Sequence, residues 1–342
     1  MAVTLKEVAK KAGVHPSVVS RILNNKADNY NISEKRRNEI RQAAVDLGYV
    51  PNISARIIQE GSFGCVAMLL SSDSGKSYLP SHLLESIHDE LEKNDKHLLL
   101  TKLPDAYSDD RSQIPKVLQT LMADGLIIDY THQVSEEIIY QIENYTLPAV
   151  WINIKRERNS IYPNNIEAGK IAVKKLVETG RKKIAYVTEI TYFAGDYLQF
   201  HFSVADRYAG YEAEMKKAGL KSRNINNNNK LLTREKQVDY FTKIFMKPDR
   251  PDALVLYWSS LAAPIIQAAR NAKLHIPEDL AIITFSSYLS QNTGLTINAL
   301  VEPEIEMGVK AVKMLSQKMK NPGKNFKSQA VDFSYLECGS VG

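Results

Sequence analysis

Serine, arginine and asparagine side chains recur along one short stretch near the amino terminus of this sequence. They are Ser17, Ser20, Arg21 and Asn24. Their spacing places them on one face of an α-helix if residues 16–24 are helical. Such side chains hydrogen-bond to phosphate oxygens and to base edges, whereas a merely solvated helix face usually mixes glutamate with lysine. The pattern therefore favours nucleic-acid binding over an ordinary solvated surface.

Capping signals indicate the helices that would position these side chains. Thr4 and Glu7 have the spacing of a capping box that starts a first helix, and Gly13 ends it in a sharp turn. Pro16 suits the first position of a second helix, and Ser33 suits the cap of a third. Two short helices joined by a glycine turn and supported by a third predict a helix-turn-helix. A three-helix bundle that binds no nucleic acid is the alternative.

The positive charge of the chain is concentrated in the same segment. The 342 residues have a formal net charge of +5, and residues 1–60 hold ten lysines and arginines against six acidic residues. The rest of the chain is therefore almost neutral. A disordered basic tail would lack the apolar periodicity of this segment. A folded, basic unit of this size predicts attraction to DNA phosphates.

Three motifs in this segment resemble the lactose/galactose repressor (LacI/GalR) family. They are Val3-Thr-Leu-Lys-Glu-Val-Ala-Lys-Lys-Ala-Gly-Val14, Val19-Ser-Arg-Ile-Leu-Asn24 and Leu47-Gly-Tyr-Val-Pro-Asn52. The resemblance implies a transcriptional regulator that we expect to repress, acting as a homodimer on a pseudo-palindromic double-stranded operator. It also implies that Pro16 and Ser17 read bases. The DNA contacts implied in this segment are Thr4, Leu5, Pro16, Ser17, Val18, Ser20, Arg21 and Asn24.

The second helix departs from the family pattern at its start. His15 stands where the family has a serine cap, and Val18 stands where a threonine is usual. Pro16 has no side-chain donor, so base readout there would depend on shape or apolar contact. Residues 27–31 are also slightly lengthened relative to the family. The family therefore does not supply the operator sequence of this chain.

Residues 51–61 are too apolar for a flexible linker, which would be rich in glycine and serine. They resemble the family's hinge helix, and the resemblance implies DNA contacts from Ala55, Arg56 and Ile58. Ile58 would be the wedge that enters the minor groove. A helix this short is unstable alone, so we expect it to fold only with DNA and a partner hinge present. An ordinary helix end packed on the rest of the chain is the alternative.

From Gly64 onward, short apolar runs alternate with helical stretches. The predicted strands are 66–70, 97–100, 126–128, 149–152, 184–187, 253–256 and 281–285. The predicted helices are 80–94, 111–123, 134–144, 165–179, 205–218, 234–247 and 259–273. This alternation predicts an α/β fold with two doubly wound parallel sheets, which bind ligands at the carboxyl ends of their strands.

The family resemblance implies how these elements are divided into domains. It implies a helix-turn-helix domain over residues 1–50, a hinge over 51–61, and a two-lobed, periplasmic-binding-protein-like effector-binding and dimerisation domain over 62–342. The expected lobes are an N-lobe of about 62–161 and 291–323 and a C-lobe of about 162–290 and 324–342. The chain would cross between them near Tyr162, Ser290 and Gly323.

The resemblance also implies an effector site between the lobes. Arg207 stands where the family has an arginine that holds an effector oxygen, and Asn153 where it often has an aspartate. The candidate residues are Ser71, Tyr78, Asn153, Arg207, Trp258, Ser259 and Ser286. Family acids are replaced by Trp258-Ser259 and Ser286-Ser287, which argues against a common hexose. A sugar or sugar derivative is the first expectation; a nucleobase, a phosphorylated regulator protein or the absence of an effector stay open.

Other function classes find little support in the sequence. We find no GxGxxG, GxxxxGK[ST], GxSxG or HExxH motif, and we expect no enzyme activity, cofactor or metal. No apolar run suits a membrane span or an export signal, so we expect a cytoplasmic protein. A solute receptor of a transport system would share the sensor fold, but it would carry an export signal and no basic helix-turn-helix. No carboxyl-terminal heptad repeat is evident, which favours a dimer over a tetramer.

Overall fold

The computed structural model describes residues 3–23, 32–50, 61–103, 122–131, 134–144, 147–188, 201–226, 233–287 and 297–342. Its contacts divide the chain into two units, Met1–Phe63 and Gly64–Gly342. The first unit is α-helical and the second is α/β. Among the described residues, no helix has the length and apolar character needed to cross a membrane.

The described part of the first unit consists of three helices, α1 (Leu5–Ala12), α2 (Pro16–Leu23) and α3 (Glu34–Leu47). They begin where the sequence predicts. The backbone N–H of Thr4 donates to Glu7 Oε2 at 2.6 Å, and Ser33 Oγ accepts from the Arg36 backbone N–H at 3.4 Å. Gly13 has a φ of 61°, the left-handed conformation that ends α1. The helices bury a shared apolar core of Val8, Ala9, Val19, Ile22, Ile40, Ala43 and Ala44.

The second unit contains two six-stranded sheets, each belonging to one lobe. The first sheet has the order β11-β5-β4-β3-β1-β2, and all its strands are parallel. It comprises β1 (Cys65–Ser71), β2 (His97–Leu103), β3 (Gly125–Asp129), β4 (Ala149–Ile152), β5 (Ser160–Pro163) and β11 (Gln329–Val331). The predicted strands of this lobe are confirmed, and β5 is an addition that the sequence did not reveal.

The second sheet has the order β12-β10-β9-β8-β6-β7. It comprises β6 (Ile184–Thr188), β7 (Asn224–Asn226), β8 (Ala253–Leu256), β9 (Ala281–Ser286), β10 (Asn298–Val301) and β12 (Ser334–Leu336). Its strands are parallel except β12, which pairs antiparallel with β10. The predicted α/β class with two mainly parallel sheets is confirmed.

Helices cover both faces of these sheets. They are α4 (Ser81–Glu92), α5 (Glu136–Asn144), α6 (Asn165–Glu178), α7 (Ser203–Lys217), α8 (Arg234–Phe245), α9 (Ala262–Asn271) and α10 (Glu304–Lys320). The predicted helix at 111–123 lies almost entirely outside the described residues. Helix α10 was not predicted. It packs with α4 against the first sheet, where Leu83, Ile87, Met307 and Leu315 are buried together.

The chain crosses between the lobes three times, and two crossings differ from the expected positions. The first lies between Pro163 of β5 and Asn165 of α6, close to the expected Tyr162. The second follows β10 at Val301 rather than Ser290, because β10 belongs to the second sheet. The third lies between β11 and β12 rather than near Gly323. Strands of three or four residues are too short for apolar periodicity to reveal, so the expected second segment of the N-lobe, 291–323, was placed too early.

Candidate functional site

Helix α2 presents the face that was predicted to contact DNA. Val19 and Ile22 are buried in the core of the first unit, whereas Ser17 and Arg21 are exposed. Pro16, Val18 and Ser20 are half-buried, as is Leu5, while Thr4 is exposed at the start of α1. Asn24, Ala55, Arg56 and Ile58 lie outside the described residues. Helix α2 therefore has one buried apolar face and one exposed face, and the exposed face carries polar side chains suited to DNA contact.

His15 caps the amino terminus of α2. Its Nδ1 lies 2.8 Å from Ser17 Oγ and accepts the Ser17 backbone N–H at 3.3 Å. An accepting Nδ1 carries no proton, so the Ser17 hydroxyl can also donate to it. Histidine therefore performs the capping role that serine has in the family, and it orients the Ser17 side chain at the exposed face.

The turn before α2 is held by a side chain of α3. Arg36 Nη2 donates to the carbonyl oxygens of Ala12 and Gly13, at 2.8 and 3.3 Å. Its Nη1 pairs with Glu39 Oε2 at 2.6 Å. These bonds satisfy carbonyls at the end of α1 that have no partner within the helix. They fix the angle between α1 and α2, a role that the sequence reading did not assign to Arg36.

The cap at His15 can be tested by substitution in the full chain. We expect His15→Ala to destabilise the start of α2 by about 1 kcal/mol, because a backbone N–H then loses its acceptor. Hydrogen exchange of the α2 amides should accelerate by roughly fivefold. His15→Ser, which restores the family's cap, should return protection to the wild-type level. Equal protection in the wild-type and His15→Ala proteins would contradict the assignment.

In the second unit, Arg207 of α7 is the centre of a buried polar cluster. Its side chain is 2% exposed. Its Nε donates to Asn165 Oδ1 at 2.8 Å, and its Nη1 donates to the Tyr257 carbonyl at 3.1 Å. Its Nη2 lies 2.5 Å from Glu302 Oε1, forming an ion pair. The arginine thus joins α6 and α7 to the segments that follow β8 and β10.

Aromatic rings lie around this guanidinium. Its Cζ lies 4.5 Å from the ring centre of Phe285 and 5.8 Å from that of Trp258. Tyr78, which follows β1 in the first lobe, meets Trp258 of the second lobe edge-on, with ring centres 6.1 Å apart. Because Tyr78 and Trp258 come from different lobes, the cluster lies in the cleft between the two sheets.

Two further carboxyl groups lie in this cleft, and the sequence reading missed both. Asp129 ends β3 and is fully buried, and Glu304 begins α10 and is 4% exposed. Burial raises the pKa of Asp129 well above its usual range. Burial, followed by the like charge of Glu302, raises the pKa of Glu304 to about 7. Both residues stand at a strand's carboxyl end or just after one, the position where such sheets bind ligands.

Neither carboxyl group has a well-formed hydrogen bond within the part of the chain that the structure describes. The backbone of Tyr78 approaches Asp129, and the Ser287 side chain approaches Glu304, but in poor geometry. Buried polar atoms are nearly always paired in folded proteins. Asp129 and Glu304 are therefore candidate ligand contacts at the carboxyl ends of these strands.

Asn153 reaches the cleft through its backbone. Its carbonyl accepts from His201 Nε2 at 2.9 Å, and its φ is 56°. His201 Nδ1 in turn lies 2.8 Å from Ser203 Oγ at the start of α7. This is the arrangement of His15 and Ser17 repeated, with a histidine two residues before a serine at a helix start. The repeat in sequence was the signal that could have revealed His201.

The remaining candidates occupy different parts of this region. Ser71 is buried at the end of β1, and its backbone N–H donates to Ser77 Oγ at 2.8 Å. Ser77 Oγ donates to the Asp129 carbonyl at 2.5 Å. Ser286 ends β9, and its carbonyl accepts the Glu302 backbone N–H at 2.9 Å. Ser259 lies directly after Trp258 at the start of a short 3₁₀ turn.

Comparison with protein families agrees with this architecture. Residues 4–52 match the model described as bacterial regulatory proteins, lacI family, and residues 173–334 match the periplasmic binding protein-like domain. The chain is 26% identical over 331 residues to the ribose operon repressor of Escherichia coli (strain K12), covering 93% of this chain and 94% of the repressor. It is 24% identical over 323 residues to catabolite control protein A of Priestia megaterium, with 93% of each covered.

Solved structures show the same fold. The Lac repressor dimer bound to operator and the anti-inducer ONPF superimposes with a TM-score of 0.72 at 18% identity, covering 100% of this chain and 99% of that one. A LacI family transcriptional regulator from Enterococcus faecium with bound ribose gives a TM-score of 0.60 at 15% identity, covering 81% and 98%. The predicted resemblance is therefore confirmed: residues 4–52 match the lacI family of bacterial regulatory proteins, and residues 173–334 match the periplasmic binding protein-like domain.

Proposed function

We propose that this protein is a sequence-specific DNA-binding transcriptional repressor that acts as a homodimer and responds to a small molecule. The observation that carries the DNA-binding part is the exposed face of α2, where Ser17 and Arg21 project from a helix whose other side is buried. Two such helices in a dimer would enter successive major grooves of a pseudo-palindromic operator.

The proposed DNA contacts extend the described face. They comprise Thr4, Leu5, Pro16, Ser17, Val18, Ser20, Arg21 and Asn24, with Ala55, Arg56 and Ile58 from the hinge. The family resemblance supports this set, and the exposure of Thr4, Ser17 and Arg21 agrees with it. We propose residues 1–50, 51–61 and 62–342 as the DNA-binding, hinge and effector-binding parts.

The small molecule is proposed to bind in the cleft between the lobes. Support comes from the meeting of Tyr78 and Trp258 across the cleft and from the buried ionisable groups beside them. The proposed lining is Ser71, Tyr78, Asn153, Arg207, Trp258, Ser259 and Ser286. Closure of the cleft would favour or disfavour folding of the hinge helices. A coupling free energy of about 1–3 kcal/mol between effector and operator binding would change operator affinity roughly 5- to 150-fold. Because the named relatives are regulators, we propose that this chain is not an enzyme and acts in the cytoplasm.

Substitution of Arg21 tests the DNA-binding assignment. We expect Arg21→Ala to lower operator affinity by about 1–3 kcal/mol, roughly 5- to 150-fold, because an exposed cation on α2 is removed. If its contact is to phosphate, the dependence of affinity on salt should also weaken by about one unit of slope. Fluorescence anisotropy measures the affinity and its salt dependence. The protein is titrated at several salt concentrations into a pseudo-palindromic duplex from the promoter region of its own gene.

Lys217→Ala is the matched control for Arg21→Ala. Lys217 is an exposed cation on α7 in the second unit, so the same charge is lost outside the unit that carries the predicted DNA face. It should bind operator like the wild type. The proposed function fails if the wild-type protein binds this duplex no better than a scrambled one at moderate ionic strength.

A further inference from the structure

The cleft offers a ligand two carboxyl groups as acceptors, while its arginine is already engaged by protein groups. Each nitrogen of the Arg207 guanidinium already donates to a protein acceptor, namely the Asn165 side chain, the Tyr257 carbonyl and Glu302. Asp129 and Glu304 instead present carboxyl oxygens that lack a well-formed hydrogen bond among the described residues. A ligand that complements this arrangement must therefore bring donors.

The charges of the cleft are also unbalanced. Arg207 and Glu302 form an ion pair and neutralise each other, which leaves Asp129 and Glu304 without a positive partner in the cluster. Burial disfavours the ionised forms of both acids, so a ligand that brings positive charge would stabilise those forms. The Tyr78 hydroxyl is influenced by the same charged groups. Burial and the negative charges of Glu302 and Glu304 raise the pKa of its hydroxyl, and Arg207 opposes them more weakly.

Aromatic rings complete the pattern. Tyr78 and Trp258 meet edge-on beside the carboxyl groups, and ring faces attract cations. A carboxylate or phosphate ligand would meet two acids and an arginine whose charge is already paired with Glu302. A neutral polyol could donate hydrogen bonds, but it would not stabilise the ionised forms of the two buried acids.

We propose that the effector is a cation that carries at least one ammonium group and that Asp129 and Glu304 are its acceptors. This inference rests on the proposed function, since it names the ligand class of the same cleft. The ammonium group donates to the carboxyl oxygens and neutralises their charge, while Tyr78 and Trp258 contact its aliphatic or cationic surface. The family's acids are replaced at Asn153, Trp258 and Ser286. On this proposal, Asp129 and Glu304 supply the acidic groups of the site instead.

Two matched sets of compounds test the charge preference with full-length protein. The first set is D-glucamine, D-sorbitol and D-gluconate, and the second is putrescine, 1,4-butanediol and succinate. Within each set, the chain length is kept and the end groups change from ammonium to hydroxyl to carboxylate. At pH 8 the Glu304 carboxyl, with its pKa of about 7, is mostly ionised. Thermal shift and titration calorimetry should show the ammonium member of at least one set binding tenfold or more tightly than its counterparts.

Substitutions connect that binding to the two acids. Glu304→Gln and Asp129→Asn should each lower the affinity for the ammonium compound at least tenfold. Glu306→Gln is the matched control, because Glu306 lies on the same helix but is exposed and pairs with Lys310. It should leave binding unchanged. Having two acid variants guards against one of them failing to fold.

Several results would overturn the inference. It is wrong if a carboxylate or hydroxyl member binds as well as the ammonium member, if no member differs from the others, or if ammonium binding survives in both acid variants. Operator binding, measured on the same preparations, separates this from the proposed function. If a neutral or acidic ligand changes operator affinity, the proposed function as a regulator holds and the ammonium effector is wrong. If the protein shows no preference for operator over other DNA, the proposed function itself is wrong.

Discussion

Replacing Arg207 by methionine should lower the free energy of unfolding of the second unit by about 3 to 5 kcal/mol, because it leaves the partner of a buried ion pair without its counter-charge. Glu302, 11% exposed, would lose that counter-charge, and Asn165 Oδ1 and the Tyr257 carbonyl would lose their donor. Methionine keeps much of the arginine's length, so the loss of stability would come from the unpaired polar groups rather than from a large cavity. Urea denaturation followed by circular dichroism measures the loss.

Two comparison variants separate the ion pair from general damage to α7. Adding Glu302→Gln to Arg207→Met removes the stranded charge and should recover a substantial part of the lost stability. Lys217→Met removes a cation from the same helix, but Lys217 is 74% exposed and its pair with Glu214 should contribute no more than about 1 kcal/mol. If Arg207→Met and Lys217→Met cost the same, the buried cluster does not stabilise the fold as described.

Gly210→Ala should be the second severe substitution, with a cost of about 3 kcal/mol or more. A Cβ added at Gly210 would lie 2.1 Å from the Ile166 carbonyl oxygen and 3.0 Å from the Gly169 Cα. These are backbone atoms of α6, so no flexible side chain can move aside and the helices must separate. In an open helix the same change would gain roughly 1 kcal/mol, so the sign itself tests the close packing of α6 and α7.

The matched control for Gly210→Ala is Gly323→Ala. Nothing lies within 4 Å of a Cβ added at Gly323, so stability should change little there. Gly169→Ala, whose Cβ would come within 2.3 Å of the Arg207 carbonyl oxygen, should behave like Gly210→Ala. Thermal melting of the three variants measures the difference. A stabilised Gly210→Ala protein would mean that α6 and α7 are further apart than the structure shows.

The three described helices of the first unit could be predicted from local signals. Thr4, Gly13, Pro16 and Ser33 each act through their own backbone neighbourhood, so their effects can be recognised without knowing the tertiary structure. The lacI-like motifs added the DNA-binding role. Arg36 could not be predicted, because its partners Ala12 and Gly13 are more than twenty residues away in sequence.

The strands could be predicted where they are apolar and long enough to show a pattern in the sequence. The points where the chain crosses between the lobes could not. Strands β10, β11 and β12 have three or four residues, and their pairing is decided by tertiary contacts. The cleft acids were missed for a related reason. Asp129 and Glu304 look like ordinary polar residues at element ends, and only the folded chain shows that they are buried in one cleft.

The three crossings have a consequence for shortened forms of the protein. Helix α10 and strand β11 complete the first sheet's lobe, and β12 completes the edge of the second. A chain that stopped at Glu302 would therefore damage both lobes at once, although it would lose only its last forty residues. A premature stop codon before β11 therefore leaves neither lobe complete, so truncations of this kind should behave as complete losses of the sensor rather than as locked regulators.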